Sequence, residues 1–242
     1  TAGGEASTAM GSNTSAGSYS TAMGSNTSAG SHSTAMGANT SASFYSTAMG
    51  DNTMANGSYS TAMGRSTTAN GPYSTVMGYN TRTYNSYSTA MGYNTEASGQ
   101  ATTAMGYNTI ASGSYSTTMG LGTIANSWAS LVIGYYNTPL DDPLFIIGNG
   151  NNNSNRSNAM IVTSNGRVGI GTNNPLAPLD INGFANSYSG DAFAYLGKGT
   201  TSFRLAQQNS GLNYPYSIRT TGVILASEIH LNSDARHKRI VS

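Results

Sequence analysis

Ser7-Thr8-Ala9-Met10-Gly11, followed by Asn13-Thr14 and then Ala16, is the first copy of a phrase that recurs along more than half of the chain. Its methionine returns at Met23, Met36, Met49, Met63, Met77, Met91, Met105 and Met119, and is replaced by Ile133. The step is thirteen residues three times and fourteen from Met49 onward. A fixed short period that keeps an apolar residue in phase is the signature of a solenoid. Fourteen residues are too few for a helix pair or a propeller blade. They fit one flat coil of two short strands and two turns, so the expected class is an all-β parallel solenoid. Glycine follows every Met of the phrase, from Gly11 to Gly120, and recurs at Gly134. Each would cost about 1 kcal/mol inside a helix. The spacing instead predicts a tight turn at that glycine, where positive φ is free of steric penalty.

Within each coil the residue four before the Met is aromatic at Tyr19, His32, Tyr45, Tyr59, Tyr73, Tyr87 and Tyr115, with Ala101 as an exception. Strand side chains alternate between faces. Read as one extended run, Tyr, Thr and Met share one face, and Ser and Ala share the other. Asn-Thr opens a second short strand whose alanine stands six after the Met, as at Ala16, Ala29 and Ala42. Alanine and serine fill only a thin interior, which leaves the methionines outside. A continuous apolar stripe is rarely tolerated on a soluble monomer. Burial against copies of the same chain around a symmetry axis removes it. Met10, Met23, Met36, Met49, Met63, Met77, Met91, Met105, Met119 and Ile133 are therefore the expected core of a homo-oligomer of parallel chains.

Two residues after the Met stand the variable outward positions, among them Asp51, Arg65, Tyr79, Tyr93, Tyr107, Leu121 and Tyr135. Tyr79, Tyr93 and Tyr107 are ligand-binding candidates, stacking on a glycan or protein; alternatively they shield neighbouring coils. The recurring asparagines are expected to hydrogen-bond to one another along the stack. The phrase decays between Leu121 and Ile133, and Trp128, the single tryptophan, falls there. The larger residues of this last coil read as a cap over the open end.

The chain has 242 residues, no cysteine, 8% charged residues and a formal charge of +1. Disulfides and cysteine-based metal sites are excluded. No basic excess is present to hold a phosphate backbone, so nucleic acid is not an expected partner. No apolar run approaches the roughly 20 residues of a membrane span. A polar, weakly charged composition also suits disorder, but disordered tracts do not hold an apolar residue in phase. No cofactor is expected: Gly148-Asn149-Gly150 and Gly169-Ile170-Gly171 neither open a helix nor complete a nucleotide-binding motif. No metal site is expected, since Asp141-Asp142 lacks a third ligand and reads as a turn. A glycan-cleaving enzyme needs paired carboxylates. The array offers Glu5, Asp51 and Glu96, too far apart in sequence to pair. Ala2 occupies the slot of Ala16, so the chain reads as part of something longer.

The domain reading is residues 1–134 for the repeat array, 135–183 for a connector, 184–232 for a β-rich stalk and 233–242 for a terminal motif. In the connector, Leu144–Ile147 and Ala159–Val162 read as strands, and Asn165-Gly166 is a hairpin-turn signal.

Ser-Thr-Ala-Met-Gly followed by Asn-Thr, Ala and Gly resembles the head repeats of YadA-like trimeric autotransporter adhesins. Thr and Met stand here where that family has Val and Ile. The resemblance covers slightly more than half of the chain and implies a left-handed parallel β-roll, with three chains forming one extracellular head. A second resemblance begins at Arg167-Val168-Gly169-Ile170-Gly171-Thr172 and runs through Pro175 to Leu179-Asp180-Ile181-Asn182-Gly183. It is to tail-fibre proteins of phages and phage-like particles, where such a segment introduces a trimeric stalk. The ending Asn232-Ser233-Asp234-Ala235-Arg236-His237-Lys238 resembles the start of the self-cleaving intramolecular chaperone of such fibres. This implies Ser233 as nucleophile, Lys238 as its base and Asn232–Ser233 as the scissile bond, with Asp234 and Arg236 structural. A serine hydroxyl needs a base, and a partly desolvated lysine serves. The chaperone body of that family continues well beyond the motif, whereas this chain stops at Ser242. Together the resemblances imply a homotrimeric extracellular fibre that meets a host-surface glycan or protein and joins other particle proteins through its N-terminal side. The alternatives are a surface-anchored bacterial adhesin and a structural spacer without ligand.

Overall fold

Small side chains set the cross-section of each coil. A computed structural model describes residues 1–182, and all its regular elements are strands. The first strand of each coil runs from Thr8–Ser12 and Thr21–Ser25 up to Leu131–Tyr135. These strands pair in parallel, like residue on like residue: Met10 on Met23, Met23 on Met36, Met91 on Met105. They belong to a 14-stranded sheet. The second strand of each coil is only two residues long, from Ser15–Ala16 to Ile124–Ala125, and builds a parallel 9-stranded sheet. The sequence period is thus the register of a parallel β-solenoid, as expected.

Ser20, Ala22, Thr27 and Ala29 are buried, and their equivalents are buried in coil after coil. Thr21 and Met23 point the other way and are half-buried. The predicted Ser/Ala interior is therefore present, and several of its serines close a turn. Ser20 Oγ donates to the Gly17 carbonyl at 2.7 Å, Ser33 Oγ to Gly30 at 2.9 Å and Ser60 Oγ to Gly57 at 2.6 Å. Each bond closes the turn that feeds the first strand.

Two local expectations are corrected. The aromatic residue four before the Met is not on the strand. Tyr19, Tyr45, Tyr59, Tyr73 and Tyr87 sit inside that turn at φ of 54° to 63°, and the strand starts only at the Thr. A left-handed conformation costs a bulky residue about 1–2 kcal/mol; stacking between coils offsets it. The glycine after the Met, conversely, is not in a turn. It lies within the strand, with φ between 117° and 129° from Gly11 to Gly120. The reason is closeness of approach: a Cβ on Gly64 would stand 2.0 Å from the Gly78 carbonyl oxygen of the next coil.

Inside the roll, Oγ1 of Thr27, Thr40, Thr53, Thr67, Thr81, Thr95 and Thr109 is buried without a hydrogen-bond partner. A buried unpaired hydroxyl costs about 1–3 kcal/mol. Thr67→Val, which keeps the shape and removes the hydroxyl, is expected to raise stability by about 1 kcal/mol, read as a higher denaturant midpoint at unchanged slope.

The sheet does not stop at Ile133. Pro143–Asn149 pairs with Leu131–Tyr135 in parallel, Ile133 on Ile147 and Gly134 on Gly148, so the step of fourteen continues once more. Asn158–Thr163 and Val168–Ile170 then add antiparallel, and Leu179–Ile181 adds parallel. The two predicted connector strands are both present, and Asn165-Gly166 forms the predicted turn, with φ +80° at Gly166.

Trp128 does not cap the stack: it is 70% exposed, in the outward turn just before Ala129 at φ +51°. Closure is done elsewhere. Ile146 and Ile161 pack with Ala125, Val132 and Leu140. The last rung of the short sheet is met by the amide of Asn137, which is 0% exposed. Its Oδ1 accepts from Ile124 N–H at 2.7 Å and its Nδ2 donates to Ile124 C=O at 2.9 Å. Asn158 treats Thr138 in the same way, at 2.9 Å for both bonds. An exposed strand edge needs a donor and an acceptor; an indole ring has one donor and no acceptor. Arg156 locks the closure by donating to Gly122 O at 2.7 Å and Asn137 O at 3.1 Å. Burial lowers the Arg156 pKa, an effect opposed by the neighbouring Tyr136 hydroxyl.

Candidate interaction surfaces

The outer face of the long sheet carries the methionine column. The strands alternate, so when Ala22 or Val132 points in, Met23 or Ile133 points out. Coils above and below half-bury each methionine; Met10, at the start, is 58% exposed. The column is longer than the repeat predicts. Ile147 continues it beyond Ile133, and Met160, Ile170 and Ile181 follow in register across the remaining strands. The periodic phrase gave no sign of these last residues, because two of the strand pairings are antiparallel and sequence spacing no longer reports register. A threonine column from Thr8 to Thr117 flanks the stripe. The face is therefore nearly uncharged over its whole length.

Beside it runs the column of variable residues. Asp51 and Arg65 approach to 3.4 Å, and the Arg65 guanidinium lies 5.8 Å from the Tyr79 ring centroid. Tyr79 stacks on Tyr93 at 5.1 Å, and Tyr93 on Tyr107 at 4.7 Å. The two faces of Tyr93 are thus occupied by its neighbours. Ring edges and hydroxyls, not ring faces, are what this candidate ligand surface presents.

A second aromatic ladder occupies the turns. Tyr19, His32, Tyr45, Tyr59, Tyr73 and Tyr87 stack in succession, at centroid distances of 5.0, 4.6, 4.9, 5.0 and 5.2 Å. Phe44 meets Tyr45 edge-on at 4.5 Å. The Tyr19 hydroxyl donates to the Glu5 carboxylate, and this bond, with a smaller contribution from desolvation, raises the Tyr19 pKa above its ordinary value. The fixed spacing of these aromatics was visible in the sequence; their position in a turn was not. The asparagines at the opposite turn form the expected ladder: Asn13 donates to Asn26 at 2.8 Å, Asn80 to Asn94 at 2.7 Å and Asn94 to Asn108 at 2.6 Å.

The array's three acids are not brought together: Glu5 is engaged with Tyr19, Asp51 with Arg65, and Glu96 lies on the other sheet. No group of three or more His, Cys, Asp or Glu residues able to hold a metal occurs among the described residues. Asp142 instead accepts a hydrogen bond from Ser164 and braces the turn after Asn158–Thr163. Among the described residues no helix is long and apolar enough to cross a membrane. Asn232, Ser233 and Lys238, and the stalk read over 184–232, lie outside the described residues.

No curated protein matches the chain. Residues 44–67, 69–95 and 97–123 match the family model of the YadA head domain repeat (2 copies). Those segments coincide with coils whose strands stack in register, from Thr47–Asp51 to Thr117–Leu121. The central part of this solenoid is therefore built of YadA-like head repeats.

Proposed function

We propose that the chain is part of a homotrimeric extracellular fibre, in which the solenoid is a rigid rod presented to a receptor on a host surface. The observation that carries this reading is the unbroken outward column from Met10 to Ile181. Three parallel copies packed through that column around a threefold axis bury it, which a single chain cannot do. The YadA-like head repeats support the same arrangement, because heads of that family are trimers. Three identical surfaces on one rod convert weak contacts into avidity through effective concentration. The contacts themselves are made by the variable outward column, through the edges of Tyr79, Tyr93 and Tyr107.

Within that class we favour a phage or phage-like tail fibre, on the strength of residues 167–183 and the Ser233-Asp234…Arg236…Lys238 ending. In this reading Lys238 takes the Ser233 Oγ proton and Oγ attacks the Asn232 carbonyl carbon; the Ser233 amine leaves as Lys238 returns the proton to it, and water hydrolyses the resulting ester, freeing the Asn232 carboxyl once, after assembly. Mass spectrometry of the full-length gene product, wild type against Ser233→Ala, tests it. A C-terminus at Asn232 in the wild type alone is the expected result; equal masses refute self-cleavage. A surface-anchored adhesin, the rival reading, has the same head and differs in its C-terminal anchor. Glycan-array and whole-cell binding of the intact fibre separates a receptor binder from a spacer.

A further inference from the structure

The turn ladder has one missing rung. Tyr87 is the last of six stacked rings; the next coil places Ala101 in the same slot, and the coil after it places Tyr115. The backbone confirms the alignment. Ala101 N–H donates to Ser86 O at 2.9 Å and Tyr115 N–H to Gln100 O at 2.8 Å, repeating the bond from Tyr87 N–H to Pro72 O at 3.0 Å. All three residues are left-handed, at φ of 63°, 53° and 62°. Only the ring is absent.

Two coil spacings separate Tyr87 from Tyr115, about 10 Å. Tyr87 has a neighbour on one face only and, at 60%, is the most exposed tyrosine of its ladder; Tyr115 is 53% exposed. Beyond Tyr115 stands Trp128, edge-on at 6.0 Å. The methyl group of Ala101 is the floor. A ring placed midway would stand about 5 Å from each wall, within the usual range of aromatic pairs and at the spacing of the ladder itself.

We propose that Tyr87, Ala101 and Tyr115 form a slot for one flat aromatic ring, borne on a partner's side chain or on a free small molecule. The gap has the thickness of the rung it lacks, which favours a planar ring over a puckered sugar chair. Unlike Tyr93, whose faces are both covered, Tyr87 and Tyr115 have faces to offer. The inference does not depend on the trimer or on the nature of the fibre.

The single tryptophan makes the test direct. Trp128 fluorescence of the intact chain is titrated with 4-nitrobenzyl alcohol, a neutral flat quencher, with correction for absorbed light. Saturable quenching is expected, relieved by phenol or N-acetyltyrosinamide and not by methyl glucoside. Whichever of the two aromatic competitors is stronger shows whether a free ring or a side chain is preferred. Ala101→Tyr supplies the missing rung in a backbone conformation tyrosine already adopts in the neighbouring coils. It should fold, and should weaken the saturable component at least tenfold. Tyr87→Ala, which removes one wall, should weaken it about tenfold. No saturable quenching, quenching in both variants as strong as in the wild type, or displacement by methyl glucoside as effective as by phenol would each overturn the proposal.

Discussion

Gly78→Ala should cost about 4 kcal/mol or more, the range reserved for severe core defects. Two penalties add at this position. The backbone is at φ +125°, a region L side chains seldom enter. The new Cβ would also lie 2.0 Å from the Gly92 carbonyl oxygen. Neither can relax locally, because the obstructing atom is backbone in a strand paired on both sides. Repeat proteins hold together through nearest-neighbour interfaces, so separating two coils weakens the rod on either side. Gly166→Ala is the control. It shares a positive φ, +80°, but nothing stands within 4 Å of the added methyl. Only the conformational cost remains, about 1 kcal/mol. Guanidinium unfolding followed by circular dichroism separates the two; similar midpoints would mean that coil spacing does not depend on the glycine column.

Asn137→Leu has the second-largest expected effect, about 3 kcal/mol. The side chain keeps its approximate volume but abandons both the N–H and the C=O of Ile124 in a buried setting. Each orphaned backbone group costs about 1–3 kcal/mol. The loss should be local before it is global. Hydrogen exchange at the Ile124 amide should accelerate while amides of the central coils keep their protection. Unchanged exchange at Ile124 would show that the short sheet is closed by something other than the Asn137 amide.

The chain's period was enough to read the solenoid, its inward Ser and Ala residues and the outward methionines, because a parallel stack makes sequence spacing and spatial register the same quantity. That equality also marks where reading failed. Tyr19 and its equivalents looked extended because alternation cannot distinguish a strand from a turn of the same composition. Gly24 looked like a turn because positive φ is usually found there, whereas here the neighbouring coil's backbone demands it. Trp128 looked like a lid because size suggests cover, yet the open edge required the paired donor and acceptor of Asn137. Met160 and Ile170 joined the outer stripe through antiparallel pairings that no fixed period announces. The aromatic slot was written in the sequence as an exception, Ala101, but its meaning needed the rings on either side to be seen as a stack.

The outward apolar column from Met10 to Ile181 is the feature on which the proposed assembly rests, and the mass of the particle in solution tests it most directly. Sedimentation equilibrium of the intact chain should give three times the protomer mass of 24.9 kDa, with no folded single chain appearing on dilution. A stable, folded species of 24.9 kDa would contradict the account.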